Sequence, residues 1–227
     1  MQYLSTGHYS SLKGAIFIVC YGRSGSTLLT RLINTIPGAC IRGENANALM
    51  HLFRAYEAAH RTRYTQGKPE HADTSPWFGA DKVAPSEFGD ALVDCFVRQI
   101  LKPGPTATWL GFKEIRYHEL GDRLADYLDF LQQFFPDAHF IFNRRSHIDV
   151  ARSGWFAQRP EETVENIVGE MDAAFLDYHE KHPGNSRITD YEAFSEDPRC
   201  LKPVFDMLGE ELDLPRCREI LNVRLKH

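Results

Sequence analysis

The segment FIVCYGRSGSTLLTRLIN, residues 17–34, decides the fold of this chain. It opens with an apolar, β-branched run that begins at residue 15 and is typical of a strand buried on both faces. The run ends at the glycine- and hydroxyl-rich turn 22–27, after which an apolar pattern with helical spacing starts at Leu28. The segment therefore predicts a strand, a tight loop and a helix.

The turn at residues 22–27 has the composition of an anion-binding loop. Gly22 and Gly25 permit backbone conformations that turn amides inward. The start of the following helix presents unpaired N–H groups and a partial positive charge. Arg23 adds a full charge, and hydroxyl donors come from Ser24, Ser26 and Thr27. The loop suits a phosphate or sulfate group, although taken alone it also fits a simple turn that caps a helix.

Composition and charge limit the classes of function. The 227 residues suffice for one sizeable core, and 43% hydrophobic and 25% charged residues are ordinary for a globular protein. The net charge of −5 argues against a nucleic-acid or anionic-membrane binder, so an anion site must concentrate positive charge locally. We expect neither a signal peptide nor a membrane span. Five scattered cysteines indicate reduced thiols in a cytoplasmic protein.

Strands and helices are predicted to alternate along the chain. Strands are predicted at residues 15–20, 108–115, 139–143 and 186–189. Helices are predicted at residues 28–35, 46–61, 88–101, 120–135, 148–156, 162–179, 201–208 and 215–221. Residues 65–85 are predicted to be a long loop that helps to shape a binding pocket. This alternation predicts a parallel sheet covered by helices on both faces, with ligands beyond the carboxyl ends of its strands.

Two further motifs make a family resemblance specific. The stretch HFIFNRRSHIDVARSGW, residues 139–155, runs from a predicted strand through two arginines into a predicted helix. The turn 22–27 resembles the 5′-phosphosulfate loop of the sulfotransferases, and Arg145 with Ser153 resembles their 3′-phosphate motif. The stretch RITDYEAFSEDP, residues 187–198, is similar to the family's Tyr-Glu-x-x-x-x-x-Pro segment. The motifs follow the family's order over roughly residues 15–208.

The resemblance implies a fold and a reaction. The expected fold is a P-loop-like α/β domain of three layers, with a central parallel sheet of about five strands. It is expected to be a single domain spanning residues 1–227, with an acceptor-side insertion at about residues 45–105. The expected donor is 3′-phosphoadenosine 5′-phosphosulfate, whose sulfuryl group passes to an acceptor hydroxyl or, less readily, amine. The product of the donor is 3′-phosphoadenosine 5′-phosphate.

The resemblance also implies roles for the residues that bind the donor. The 5′-phosphosulfate is expected to lie against Gly22, Arg23, Ser24, Gly25, Ser26 and Thr27. Arg145 and Ser153 are expected to hold the 3′-phosphate, because an arginine fork pairs well with a phosphate dianion and a hydroxyl completes the cradle. Tyr191 is expected near the adenine.

The expected catalytic groups are Glu44, Lys113 and Arg23. Glu44 resembles the glutamate of the Gly-Glu segment of tyrosylprotein sulfotransferases and several bacterial relatives, which is proposed as the general base. Lys113 and Arg23 are the candidates to neutralise charge on the departing phosphate. His51 and His118 are alternative bases. Residue types alone also allow a glutamate at a helix start and a solvated strand end at residues 113–114.

The chain departs from the cytosolic hormone and phenol sulfotransferases at three places. Arg23 replaces a lysine, Leu28 replaces a tryptophan, and the late Arg-Lys-Gly segment is missing. The expected substitutes in binding the 3′-phosphate are Arg144, Arg152 or Lys226. These departures favour the tyrosylprotein and bacterial branches, and we expect a cytoplasmic bacterial enzyme.

Two alternative functions accompany this interpretation. A P-loop-type nucleotide kinase requires a lysine before the Ser/Thr of the loop, which residues 25–27 lack. A non-catalytic nucleotide-binding module would not need both Glu44 and Lys113. No metal is expected, because the sequence has neither a zinc-spaced His/Cys cluster nor a magnesium carboxylate set beside the loop. The acceptor, which is a small molecule, a glycan or a peptide, and the oligomeric state are left open.

Overall fold

The strand predicted by the opening segment lies at the centre of the sheet. In a computed structural model, which describes residues 11–223, this strand, β1, spans Gly14–Cys20 and is buried along its whole length. The other strands are β2 (Ala39–Arg42), β3 (Trp109–Glu114), β4 (Ala138–Arg144) and β5 (Ser186–Asp190). Their order is β2–β3–β1–β4–β5, and each neighbouring pair is parallel. The prediction of a parallel sheet of about five strands is confirmed.

Helices connect the strands and cover the sheet. The α-helices of the described chain are α1 (Ser26–Ile33), α2 (Ala48–Arg61), α3 (Pro85–Phe96), α4 (Leu124–Phe134), α5 (His147–Ala151), α6 (Glu161–Lys181), α7 (Tyr191–Glu196), α8 (Lys202–Leu208) and α9 (Leu214–Leu221). Two π-helical turns, Thr62–Gln66 and Val97–Leu101, extend α2 and α3. Within residues 11–223, no helix combines the length and the apolar composition that a membrane span requires.

Each face of the sheet has a core of its own, because successive side chains of a strand point to opposite sides. On one face, Phe17, Phe112 and Phe140 pack with α2, α3, α4 and α6 in a core rich in aromatic rings. On the other face, Ile16 and Ile141 pack with α1 and α8 in a mostly aliphatic core. The expected three-layer α/β architecture is therefore confirmed.

Two short elements, β2 and α7, are not predicted by the sequence pattern. Strand β2 has four residues, of which Ile41 alone is buried, so it carries no readable alternation. Helix α7 has six residues, too few to show a helical stripe. Both elements matter for the site, because β2 leads to Glu44 and α7 begins with Tyr191.

Several predicted helix boundaries differ from the structure by a few residues, and two of these differences have a clear backbone cause. The helix predicted at residues 148–156 ends as α5 at Ala151, and Gly154 takes a φ of 57°, outside the helical region. Ser153 therefore lies in a turn rather than on a helix. Helix α2 begins at Ala48 rather than at residue 46, because Ala46 and Asn47 have φ values of 54° and 59°.

The region 45–105 consists of α2, α3 and the segment between them. This segment is not a featureless loop, since it contains the π-helical turn Thr62–Gln66 and a 3₁₀ turn at Ala80–Lys82. Both helices cover the aromatic face of the sheet. Its assignment as an acceptor-side insertion, within one domain spanning residues 1–227, stays a prediction.

A predicted site residue lies at or just after the end of each of the five strands, and all of these ends lie at the same edge of the sheet. Strand β1 is followed by the loop 22–25, and β2 is followed by Glu44. Lys113 lies near the end of β3, Arg145 directly follows β4, and Tyr191 directly follows β5. Because parallel strands share one direction, their carboxyl ends meet at one edge, where ligands of such sheets bind.

Candidate functional site

The loop after β1 makes a tight turn and leaves backbone amides available. Arg23 and Gly25 have φ values of 65° and 77°, and a left-handed pair of this kind bends the chain into the start of α1. The N–H groups of Ser26 and Thr27 donate no hydrogen bond to another residue of the range 11–223. Unpaired amides at a helix start, together with the helix dipole, favour an anion at this loop.

Side chains of β4 and β5 hold the loop in place through hydrogen bonds. The side-chain amide of Asn143 donates to the carbonyl oxygen of Ser24 at 2.7 Å, and the Thr189 hydroxyl donates to Asn143 Oδ1 at 3.1 Å. Ser24 is fully buried, yet its hydroxyl oxygen contacts no hydrogen-bonding partner within the described chain. A buried polar atom without a partner is costly unless a ligand or water supplies one.

Arg145 lies against both the loop and Tyr191. Its Nη1 donates to the carbonyl oxygen of Arg23 at 2.9 Å, and its guanidinium carbon lies 4.5 Å from the centroid of the Tyr191 ring. The Nε atom of Arg145 is buried and has no acceptor among residues 11–223. The backbone N–H of Arg145 donates to the Tyr21 hydroxyl at 2.8 Å, which fixes the start of this arginine. A donor without an acceptor at this position suits an anionic ligand.

Arg23 joins the loop to the turn that carries Ser153. Its Nε donates to the Ser153 hydroxyl at 2.9 Å, across 130 positions of sequence. Trp155 lies beside the same pair, with the guanidinium carbon of Arg23 5.9 Å from its ring centroid. A Cβ atom at Gly22 would lie 2.4 Å from Cζ2 of Trp155, so the indole packs directly on the loop. The two predicted phosphate motifs are thus parts of one surface.

Glu44 and Lys113 form an ion pair that borders the same cavity as the loop. The Lys113 Nζ atom lies 2.6 Å from Oε1 of Glu44, and Nη1 of Arg116 lies 3.4 Å from Oε2. The lysine side chain is only 7% exposed, whereas that of Glu44 is 35% exposed. The carboxylate therefore faces the opening, and the ammonium group faces the interior.

The structure bears on the two simpler explanations that the residue types allow. Glu44 precedes the start of α2 by four positions, and the first turn of that helix contains no acid. Lys113 and Glu114 are buried rather than solvated, with 5% and 2% of their surface exposed. A buried lysine requires a charged partner, and Glu44 supplies it.

A cavity of about 140 Å³ brings the predicted groups together. Its walls are Arg23, Gly25, Ser26, Thr27, Leu28, Glu44, Lys113, Ile115, Arg145, Trp155 and Tyr191. Three cations and one carboxylate face it. The volume is below the roughly 300–1,000 Å³ of sites that enclose a whole small-molecule ligand, so the cavity suits one phosphate- or sulfate-sized group. None of the wall residues comes from the region 45–105.

Other candidates lie outside this cavity. His51 is exposed on α2, and burial lowers the pKa of His118, an effect to which Arg159 and Arg116 add. Arg144 is paired with Asp190 at 2.9 Å. Arg152 is exposed next to Ser153, and Lys226 lies outside the described residues. Within residues 11–223, no group of His, Cys, Asp or Glu side chains is placed to hold a metal ion.

Sequence reasoning missed three residues at the site. Trp155 stands two positions after Ser153, but its contact with Gly22 depends on the whole fold. Arg116 contacts both Glu44 and Glu114. Glu114 accepts hydrogen bonds from the turn that carries Glu44. The strand-end position of Glu114 was the only local signal, and it favoured a solvated side chain.

Comparisons with known proteins bear on the family and the fold of the chain. The model of the sulfotransferase family matches residues 15–198, which include all the motif residues described above. Among solved structures, the sulfotransferase domain from the curacin biosynthetic pathway has a TM-score of 0.60 at 17% identity, covering 94% of this chain and 79% of that chain. A likeness at this identity supports the fold alone.

A thymidylate kinase from Candida albicans has a TM-score of 0.44 at 14% identity, covering 86% of this chain and 93% of that chain. This likeness is too low to bear on function. No curated protein matches the chain by sequence. The family model covers most of the chain, and the chain belongs to the sulfotransferase family.

Proposed function

We propose that this sulfotransferase moves the sulfuryl group of 3′-phosphoadenosine 5′-phosphosulfate to a hydroxyl, less readily an amine, with Glu44 as general base. The observation that carries the proposal is the 2.6 Å contact between Lys113 Nζ and Glu44 Oε1 at the wall of a cationic cavity. A base and a cation placed together at one anion loop are what sulfuryl transfer requires.

The residues at the loop fit such a donor. The donor supplies a sulfuryl group joined to a 5′-phosphate by the S–O bond that breaks. The amides of Ser26 and Thr27 and the buried hydroxyl of Ser24 offer donors that lack acceptors within residues 11–223. Arg145, with its unpaired Nε, and Ser153 would hold the 3′-phosphate, and Tyr191 would lie near the adenine.

Glu44 and the two cations Lys113 and Arg23 have different roles in the reaction. Glu44 accepts the proton of the acceptor hydroxyl as the acceptor oxygen bonds to sulfur in an in-line displacement. Lys113 and Arg23 offset the negative charge that the 5′-phosphate oxygen gains when the S–O bond breaks. Because the lysine is buried and paired, its ammonium group is already positioned before that charge develops.

The acceptor side of the site is open at Glu44. Its 35% exposed carboxylate meets solvent, so a small molecule, a glycan or a peptide side chain has access. The Gly43-Glu44 turn and Leu28 support a place in the tyrosylprotein and bacterial branches. The five cysteines are free, which fits a reducing compartment, and we propose a cytoplasmic bacterial enzyme.

A paired experiment tests the proposal. The protein is titrated calorimetrically with 3′-phosphoadenosine 5′-phosphate and with ATP–magnesium, and pools of phenols, glycans and peptides are incubated with ³⁵S-labelled donor. We expect tight binding of the first nucleotide only, and label transfer to one class of acceptor. Preferential binding of ATP–magnesium would instead support a kinase. Binding without transfer to any pool would favour a non-catalytic module.

A further inference from the structure

Glu114 is a buried carboxylate next to the proposed catalytic lysine, and no part of the mechanism above uses it. It is the last residue of β3, and 2% of its surface is exposed. A buried carboxylate in a protein needs partners, and these partners show what it holds in place.

Both oxygens of Glu114 accept two hydrogen bonds each. Oε1 accepts from the backbone N–H of Ile115 at 2.8 Å and from Arg116 Nη1 at 2.9 Å. Oε2 accepts from the backbone N–H groups of Asn45 and Asn47, at 3.2 and 3.0 Å. The second pair belongs to the turn that directly follows Glu44, in a part of the chain 69 positions away.

This turn combines its own hydrogen bonds, from the Ala48 N–H to the carbonyl and side-chain oxygens of Asn45, with a backbone conformation that is costly. Ala46 and Asn47 both have left-handed φ values, which residues with a Cβ atom adopt at a cost. Two of its amides point to one carboxylate oxygen, so the charge of Glu114 favours this conformation over extended alternatives. Lys113 and Glu114 are neighbours on β3, and Lys113 holds Glu44 itself.

We infer that Glu114 is a positioning residue. It holds the backbone turn after Glu44 in place, so that the Glu44 carboxylate stays beside Lys113, and it thereby sets the geometry of proton transfer. This inference rests on the proposed function for its effect on rate, but its structural part does not. The strand end thus presents two adjacent groups with separate tasks, since Lys113 contacts the Glu44 carboxylate and Glu114 contacts the backbone behind it.

The substitution Glu114→Gln tests this role because an amide has a single acceptor oxygen. The amide oxygen should stay with the charged guanidinium of Arg116, so the NH₂ group faces the backbone amides of Asn45 and Asn47, and that pair of hydrogen bonds is lost. The first measurement is hydrogen exchange at the amides of Asn45 and Asn47, which requires neither donor nor acceptor. We expect both amides to lose protection, while amides of β1 keep theirs.

The second measurement is kinetic. Because displacements of about 1 Å cost up to about 100-fold in rate, we expect kcat to fall roughly 10- to 100-fold. Calorimetric affinity for 3′-phosphoadenosine 5′-phosphate should stay within about 2-fold, since Glu114 does not line the cavity. In a Glu44→Gln background the same substitution should lower kcat by less than about 3-fold, because residues acting through one group are not additive.

Glu210→Gln is the matched control. Glu210 Oε1 accepts from Trp109 Nε1 at 2.7 Å and from Lys13 Nζ at 2.6 Å, and Trp109 lies at the opposite end of β3. Its loss should lower the melting temperature and leave kcat unchanged. Unchanged exchange at Asn45 and Asn47 in folded Glu114→Gln protein would overturn the inference, as would equal rate losses in the wild-type and Glu44→Gln backgrounds.

Two further outcomes have separate consequences: a variant that does not fold, and a wild-type enzyme without activity. If Glu114→Gln does not fold, Glu114→Asp, which shortens the reach by one methylene, undergoes the same measurements with the same criteria. If the wild-type enzyme transfers no sulfuryl group at all, the proposed function fails, and the exchange data alone decide whether Glu114 holds the turn.

Discussion

The Nζ atom of Lys113 lies 2.6 Å from Oε1 of Glu44, although 69 positions separate the two residues. The pairing of β2 with β3 accounts for this contact. Arg42 stands opposite Phe112 in the register of the two strands, so the chain leaves β2 beside the end of β3. A carboxylate and an ammonium group from distant segments are thus brought together by an edge strand of four residues.

Glu44→Gln should abolish most of the turnover and leave donor binding intact. The amide keeps the size of the side chain and can still accept from Lys113, but it no longer takes a proton. Loss of a general base typically lowers the rate by about 10²–10⁴-fold. The measurement is kcat with an identified acceptor, beside calorimetric titration of the donor product. Near-normal turnover would remove Glu44 from the mechanism and direct attention to His51 and His118.

Lys113→Ala should show a different pattern. It removes the cation expected at the sulfuryl group, so we expect lower turnover and weaker binding of the sulfated donor than of its desulfated product. Titrations of the two nucleotides, compared between variant and wild type, measure this difference. Equal weakening of both would make Lys113 a general binding cation. Unchanged turnover would contradict any catalytic role for it.

Arg145→Ala should erase discrimination for the 3′-phosphate. In the wild type, 3′-phosphoadenosine 5′-phosphate should raise the melting temperature far more than adenosine 5′-phosphate, because two or more charge-assisted hydrogen bonds contribute about 2–4 kcal/mol. Arg144→Ala is the matched control, since Arg144 is adjacent but paired with Asp190. The assignment fails if wild-type protein responds equally to both nucleotides, or if the control loses discrimination as completely as Arg145→Ala.

Gly25→Val should prevent donor binding at the loop. Gly25 has a φ of 77°, and an added Cβ atom would lie 2.0 Å from Cδ2 of Tyr191. A branched side chain is strained in this backbone region and would displace the tyrosine. Gly184→Ala is the control, because nothing lies within 4 Å of its Cβ position. A folded Gly25→Val protein that binds the donor product with wild-type affinity would exclude this loop as the 5′-site.

The sequence predicts the loop half of the site better than the catalytic half. The strand, turn and helix around Gly25 are encoded within 18 consecutive residues, and each local preference agrees with the fold. Arg145 and Tyr191 were also placed correctly after their strands. Their contact, with the guanidinium over the ring, could not be derived from spacing, because it depends on the packing of α7 against the loop.

The catalytic half depends on long-range pairing that leaves little local trace. Glu44 and Lys113 were identified by residue type, but β2, which brings them together, has a single buried residue and no visible pattern. For Glu114, a solvated strand end is the alternative that the residue types allow, as charged strand ends commonly are exposed. Glu114 is buried because backbone donors from a turn 69 positions away satisfy its carboxylate. Tertiary contacts of this kind override local preference.

The central place of β1 has a consequence for biosynthesis. This strand, GAIFIVC, is wholly apolar and emerges first, but its partners β3 and β4 begin only at residues 109 and 138. At about 5–20 residues per second, a ribosome leaves both edges of the strand unpaired for several seconds. Exposed apolar strands with open edges associate with one another. We therefore expect the yield of native enzyme to depend on how well β1 is shielded during translation.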